Sequence, residues 1–148
     1  GRRADGKRPG DTAFARAALG LVTRRRGRFE PALEIEGLGR AAFVMVANCS
    51  PYTYSGSHAI DVAPEASFEA GLDLVAPVRA GAASLPALIW AVARGHGAGR
   101  DDVLTAHDCD SIAVRCDTAM PLQVDGEDLG DVESVVFEAE RDAVTVLV

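Results

Sequence analysis

Three segments of this chain combine residue types that could handle a proton, a hydroxyl or a cation. Residues 48–56 (NCSPYTYSG) turn from an apolar run into polar and aromatic chain, led by Asn48 and carrying Tyr52 and Tyr54. Residues 62–75 (VAPEASFEAGLDLV) are acidic and turn-like before they become apolar. Residues 122–129 (LQVDGEDL) gather Asp125, Glu127 and Asp128 around Gly126. A carboxylate positioned at such a turn can accept a proton from a substrate hydroxyl, a role worth about 10²–10⁴-fold in rate. Taken singly, each segment also has a plain structural meaning. An Asp-Gly pair between apolar stretches is a hairpin turn, and the Pro-Glu-Ala string has no chemistry in isolation.

Other reactive side chains are scattered. His58, His96 and His107 lie far apart. His107, Asp108, Cys109 and Asp110 are consecutive and read either as metal ligands or as an alternating strand. Three cysteines (Cys49, Cys109 and Cys116) at irregular spacing favour reduced thiols and a cytosolic setting. No second closely spaced pair accompanies Cys109 and Cys116, so zinc is not expected, and the thiols read as small buried hydrophobes. Trp90 adjoins an apolar helical stripe and reads as packing. The cluster Asp125, Glu127 and Asp128 also reads as the paired carboxylates of a glycoside hydrolase, about 5–5.5 Å apart across a cleft, since residues two apart on a strand share a face, but an aromatic fraction of 5% is thin for a sugar platform.

The elements that must position these residues follow from periodicity. Residues 1–10 are Gly, Pro and charge and are expected to be disordered. Residues 11–27 read as a helix, with Asp11 as N-cap and Phe14, Ala18, Leu21 and Val22 at helical spacing. Residues 32–36 alternate and predict a half-buried strand, followed by a glycine turn at 37–39. The run 41–47 is apolar on both faces and predicts one central strand. Residues 48–57 read as a loop. A strand is expected over 72–79. A helix is expected over 84–95, with Leu85, Leu88, Ile89 and Val92 on one face, then a glycine-rich loop at 95–100. From Val103 onward everything reads as strand, with turns at 125–126 and 141–142 and a last strand at 144–148. Short strands without alternating helices predict a mainly β fold, a two-sheet β-sandwich with an N-terminal helix and one short inserted helix.

Charge and composition bound the function. The chain has 148 residues, 48% hydrophobic and 25% charged, enough for one domain with its own core. No apolar run reaches the roughly 20 residues of a membrane-spanning helix. The chain begins at Gly1 rather than Met, which predicts an excised piece of a longer polypeptide or a processed product. Nine of the fifteen basic residues fall in residues 1–28, with only Asp5 and Asp11 against them, so the rest carries −14. Such a body repels nucleic-acid phosphates, and no nucleic-acid partner is expected. Arg24, Arg25, Arg26 and Arg28 can instead face anionic lipid headgroups, at about 1 kcal/mol each, or simply be solvated.

In their order and spacing, the three segments resemble the C-terminal domain of the diacylglycerol kinase-like lipid kinases, which include bacterial diacylglycerol kinases and sphingosine kinases. The family pattern runs from an Asn and a Tyr-x-Gly loop, through an Ala-Pro-x-Ala segment ending in Asp-Gly-x-Leu-Asp, to Asp-Gly-Glu. The resemblance covers about residues 10–148. It implies a β-sandwich spanning 11–148 that forms the lipid side of a two-domain enzyme, whose other domain binds ATP and lies outside this chain. It implies transfer of the γ-phosphate of ATP, with Mg²⁺, to a lipid hydroxyl such as that of diacylglycerol. Glu127 falls on the family's proton acceptor, and Asp125 and Gly126 on the motif's first two positions. Asn48, Tyr52 and Tyr54 fall where the inter-domain cleft is lined. A structural Mg²⁺ in the family is held by an aspartate and nearby main-chain oxygens. Ser67 and Leu72 match the main-chain positions, but Ala70 stands where the aspartate belongs, and hard cations want anionic oxygen. The family's glycine run is reduced to Ser55-Gly56-Ser57. No phosphate-cradling glycine motif is present, so the chain by itself is expected to be inactive. The implied setting is cytoplasmic, at the inner membrane face. Self-association through an apolar face is also expected. The competing expectation is a non-enzymatic β-sandwich that binds lipid or a protein partner.

Overall fold

The computed structural model describes residues 28–51, 53–55, 58–81, 91, 100–125, 127–141 and 143. The expected disordered end, the helix over 11–27 and the last strand over 144–148 lie outside the described residues. So do all positions but Ala91 of the helix expected over 84–95.

The described chain is mainly β. In chain order the strands are β1 (Arg28–Phe29), β2 (Leu33–Ile35), β3 (Gly39–Ala41), β4 (Met45–Ala47), β5 (Thr53–Ser55), β6 (His58–Ile60), β7 (Leu72–Pro77), β8 (Ala80–Gly81), β9 (Val103–Cys109), β10 (Ser111–Val124) and β11 (Glu127–Glu138). They form two main antiparallel sheets, β11-β10-β2-β3 and β4-β7-β9. Two small pairs, β1-β8 and β5-β6, accompany them.

Alternation does what the sequence predicts in β2, where Leu33 and Ile35 are buried and Glu34 is exposed. Gly37, at φ +75°, and Gly39, at φ +126°, flank the turn into β3 with backbone angles that L side chains rarely adopt. The end of β10 and the start of β11 meet as the Asp-Gly signal predicts. Val124 pairs with Glu127, leaving a two-residue connection with Asp125 at φ +49°, as a tight hairpin turn requires.

Three expectations are corrected. The apolar run 41–47 is not one central strand. It breaks after Ala41, and its halves join different sheets: β3 ends the four-stranded sheet and β4 the three-stranded one. The reason is packing: Ala41 belongs to one hydrophobic cluster, Ala42 and Ala47 to the other. The polar stretch after Asn48 is not a plain loop, because Thr53–Ser55 pairs with His58–Ile60. The final β region is not made only of short strands. β10 runs 14 residues and β11 runs 12, paired along most of their length with irregularities after Arg115 and after Leu122.

β7 explains how the layers hold together. Its Leu74 and Ala76 join the larger cluster with Leu33, Ile35, Ala41, Ile112, Val114 and Met120, so both main sheets share one core. Val75, on the other face, joins a cluster of Ala and Val side chains with Val62, Ala63 and Ala66 from the segment before β7. Buried on both faces, β7 is the strand that fixes everything attached to its ends.

Candidate functional site

The chemically active side chains sit at two places, one at each end of β10. The first is a corner where β7 begins, β9 ends and β10 starts. Register brings it together: Ala47 pairs with Asp73, and Leu72 pairs with Cys109. Asn48, immediately after β4, is therefore at the same sheet end as the turn over 64–71 and residues 107–110. Asn48 itself is exposed.

The corner's centre is Asp73, 3% exposed and the second residue of an otherwise apolar strand. A buried carboxylate is stable only when it is hydrogen-bonded. Its Oδ1 and Oδ2 lie 2.8 and 2.9 Å from His107 Nδ1, and the Asp108 N–H donates to Oδ1 at 3.1 Å. The hydrogen bond that His107 donates to the Asp73 carboxylate holds the imidazole above its usual pKa, and the negative charges of Asp73, Glu65 and Asp108 act in the same direction.

A backbone irregularity makes this geometry. The β7–β9 pairing shifts register between Leu72 and Leu74, and Asp108 adopts φ +54°. Such bulges re-aim side chains. The Asp108 carboxylate accepts the Gly71 N–H at 2.7 Å and Arg141 Nη2 at 2.8 Å, while Arg141 Nε donates to Asp110 at 2.8 Å. The Gly71 and Arg141 bonds lower the pKa of Asp108. Gly71 has no alternative at its position: a Cβ there would lie 2.5 Å from the Cys109 carbonyl oxygen. The turn over 64–71 is thus clamped onto β9. Before that turn in the chain, Ser50 Oγ donates to Asp61 at 3.1 Å.

The second place is the β10–β11 hairpin end. Glu127 opens β11, exposed, opposite Val124. Among the described residues no side chain bonds to its carboxylate. Asp128 is used locally, accepting the Gly130 N–H at 2.9 Å. Gly126 lies outside the described residues. From the corner to this end, β10 covers roughly 40 Å of extended strand at about 3.3 Å per residue. Asn48 and the turn over 64–71 are brought together, then, and Glu127 is at the opposite end of the longest strand.

Of the remaining expected site residues, Tyr52 lies outside the described residues, and Tyr54 is in β5, its backbone paired with Ala59. Arg24, Arg25 and Arg26 lie outside the described residues, and Arg28 pairs with Gly81 in the β1-β8 ribbon. Ser67 accepts the Ala70 N–H at 3.2 Å through its carbonyl, within the turn. Ala70 offers no carboxylate, and the nearby Asp73 carboxylate is occupied by His107 and Asp108. These donors do not make a hard-cation site, because anionic oxygen is the element missing. Among the described residues no group of three or more His, Cys, Asp or Glu is arranged to hold a metal. Within the run His107 to Asp110, His107 is bonded to Asp73, Asp108 to Gly71 and Arg141, and Asp110 to Arg141.

The Asp73–His107 pair went unpredicted by local spacing, because its members are 34 residues apart. One signal was available: a lone acid inside the apolar run 72–77 demands a buried partner. Which residue answers it depends on strand register.

Compared with protein-family models, characterised proteins and solved structures, the chain matches none.

Proposed function

We propose that this chain is the lipid-side domain of an ATP-dependent lipid kinase, a β-sandwich whose two sheets share the larger core, with Glu127 as general base. In the proposed reaction the hydroxyl oxygen of a lipid alcohol attacks the γ-phosphorus of ATP. Glu127 accepts the hydroxyl proton as the new O–P bond forms and ADP departs. ATP and its Mg²⁺ belong to a nucleotide-binding domain elsewhere in the same polypeptide, and the enzyme works at the cytoplasmic face of the membrane.

One observation carries the reading. Glu127, at the family's proton-acceptor position, stands exposed at a tight two-residue hairpin end with no side-chain partner among the described residues, as do Asp125 and Asp128 beside it. A group that must meet an incoming hydroxyl has to be both positioned and unoccupied. The order of the three sequence segments supports the same conclusion.

Transfer of labelled γ-phosphate to diacylglycerol, sphingosine and polyprenol tests it, using the polypeptide that carries this chain with its nucleotide-binding domain. Transfer to one lipid by the wild type, lost in Glu127→Gln, is the expected result. No transfer to any lipid by a folded, ATP-binding protein overturns it.

Ala70, standing where the family pattern has an aspartate, favours a second reading, a non-catalytic module that binds lipid or a protein. Co-sedimentation of the chain with anionic liposomes, abolished by changing Arg24, Arg25 and Arg26 to Ala, is its signature.

A further inference from the structure

An aspartyl carboxyl followed by glycine can be attacked by its own backbone, because the glycine nitrogen has no neighbouring Cβ to hinder the approach. The chain holds two such pairs, Asp5-Gly6 and Asp125-Gly126. Asp5 lies outside the described residues, and the structure sets Asp125 apart from the other aspartates in three ways. Its side chain is exposed and bonds to no described residue, whereas Asp73, Asp108, Asp110 and Asp128 each accept a hydrogen bond. A bonded carboxylate is held away from the main chain, and an unbonded one can swing onto it. Asp125 also adopts φ +49°, a conformation that L residues rarely hold. Finally, the hairpin end is thinly supported. β10 pairs with β2 only at Val114, Arg115 and Cys116. Past Met120, which is buried, every described residue from Pro121 to Asp131 except Leu122 is exposed, and the β10–β11 pairing shifts register after Leu122. A two-stranded ribbon of this kind is marginally stable by itself and opens locally.

We infer that Asp125 is a site of spontaneous covalent modification, at which the folded chain converts aspartate to isoaspartate. The peptide nitrogen of residue 126 attacks Cγ of Asp125 and forms a new N–C bond. The carboxyl hydroxyl leaves with the amide proton as water, and a cyclic imide remains. Water then adds to either imide carbonyl. Opening at Cγ restores aspartate. Opening at the main-chain carbonyl leaves the backbone running through Cγ, with the former main-chain carbonyl as a free carboxylate. One water is lost and one is gained, so the net change is an isomerisation with no other reactant. Isoaspartate lengthens the main chain by one methylene. A two-residue connection fits only a few turn geometries, so the Val124–Glu127 pair opens and Glu127 is displaced. The modification itself does not depend on the kinase reading. That reading adds only that displacing Glu127 ends phosphoryl transfer.

The full chain is incubated at neutral pH and physiological temperature, with circular dichroism confirming that it stays folded. A synthetic peptide of residues 122–129 in the same buffer gives the rate of the unprotected linkage. Timed samples are digested, and isoaspartyl peptides are separated chromatographically and assigned by electron-transfer fragmentation, with a zero-time digest as background. The imide is recognised by the missing mass of one water. The expected result is isoaspartate at position 125 that rises with time at a rate within about tenfold of the peptide's, as for a segment that opens locally. A rate more than about tenfold below the peptide's overturns the proposal, because the folded turn then protects the linkage. Asp125→Glu, which could cyclise only through a larger ring, is expected to give no isomer there, and an equal yield of isomer from that variant also overturns the assignment. The wild-type time course decides the matter even if the variant fails to fold. The polypeptide that carries the nucleotide-binding domain is aged in parallel and assayed for transfer. Loss of transfer in step with the isomer supports the displacement of Glu127, and full transfer by isomerised protein overturns it. Isomer without transfer at any age supports the modification and removes the kinase reading.

Discussion

The two ends of β10 use carboxylates in opposite ways. At the corner, Asp73 and Asp108 are engaged by His107, Gly71, Arg141 and a backbone N–H, and the bonds tie a turn to two strands. At the hairpin end, Glu127 is exposed and has no side-chain partner among the described residues. An acid saturated with bonds contributes to the fold and has little capacity left for a substrate. An acid held by its backbone alone contributes little to the fold and can meet a substrate. On the kinase reading proposed above, the reactive acid is the unoccupied one at the hairpin end and not a member of the hydrogen-bonded cluster at the corner.

The largest expected effect tests that division directly. Glu127→Gln is expected to lower phosphoryl transfer by about 10²–10⁴-fold, while urea unfolding of the same variant moves by less than about 0.5 kcal/mol, as for an ordinary surface change. A large loss of stability would mean that Glu127 has a structural role after all. Asp73→Ala is expected to do the reverse. It leaves the Asp108 N–H and the His107 ring without their acceptor, and should cost about 2 kcal/mol in urea unfolding. An unfolding midpoint equal to that of the wild type would remove the corner from the account.

The two glycines sharpen the comparison. Gly71→Ala forces a Cβ into the Cys109 carbonyl and is expected to cost about 2 kcal/mol, the scale of overpacking. Gly130→Ala meets open space and strains only the backbone, at φ +85°, for about 1 kcal/mol. Equal unfolding midpoints for the two variants would contradict the clamp.

The smallest effect is in the pH dependence. His107 has its pKa raised by Asp73, so its contribution is fully present below the ordinary imidazole pKa. That contribution fades as pH rises through the higher value in the folded state. Asp108 has its pKa lowered by Gly71 and Arg141, so its contribution is present above the ordinary carboxylate pKa and is lost on acidification below it. The clamp should be tightest in mildly acidic solution, between the two ordinary values. Hydrogen exchange of the Gly71 amide, slowest in that window after correction for intrinsic rates, is the check. Protection that rises steadily toward alkaline pH would reverse the assignment.

Much of the local structure was legible from residue types. The alternation of Leu33 and Ile35 marks β2, the apolar run at 72–77 marks β7, and Asp125-Gly126 marks the turn that presents Glu127. These are decided by neighbours within a few residues, where side-chain period and backbone sterics act. The split of residues 41–47 was not legible, because Ala41 and Ala42 are alike in composition and differ only in the cluster that receives them. Nor was the pairing of residues 53–55 with 58–60, in a stretch whose polar composition suggested a loop.

The chain's own residues determined that it is β-rich, that the body is acidic, and that a carboxylate stands at a hairpin turn. Periodicity, charge and turn chemistry are local or additive properties, so they can be read without a fold. Only the tertiary structure decided that Asp73 finds His107, that Asp108 and Gly71 lock a turn to β9, and that Leu122 pairs with Gly130. Each of these depends on strand register, and a shift of one residue would turn every side chain to the other face.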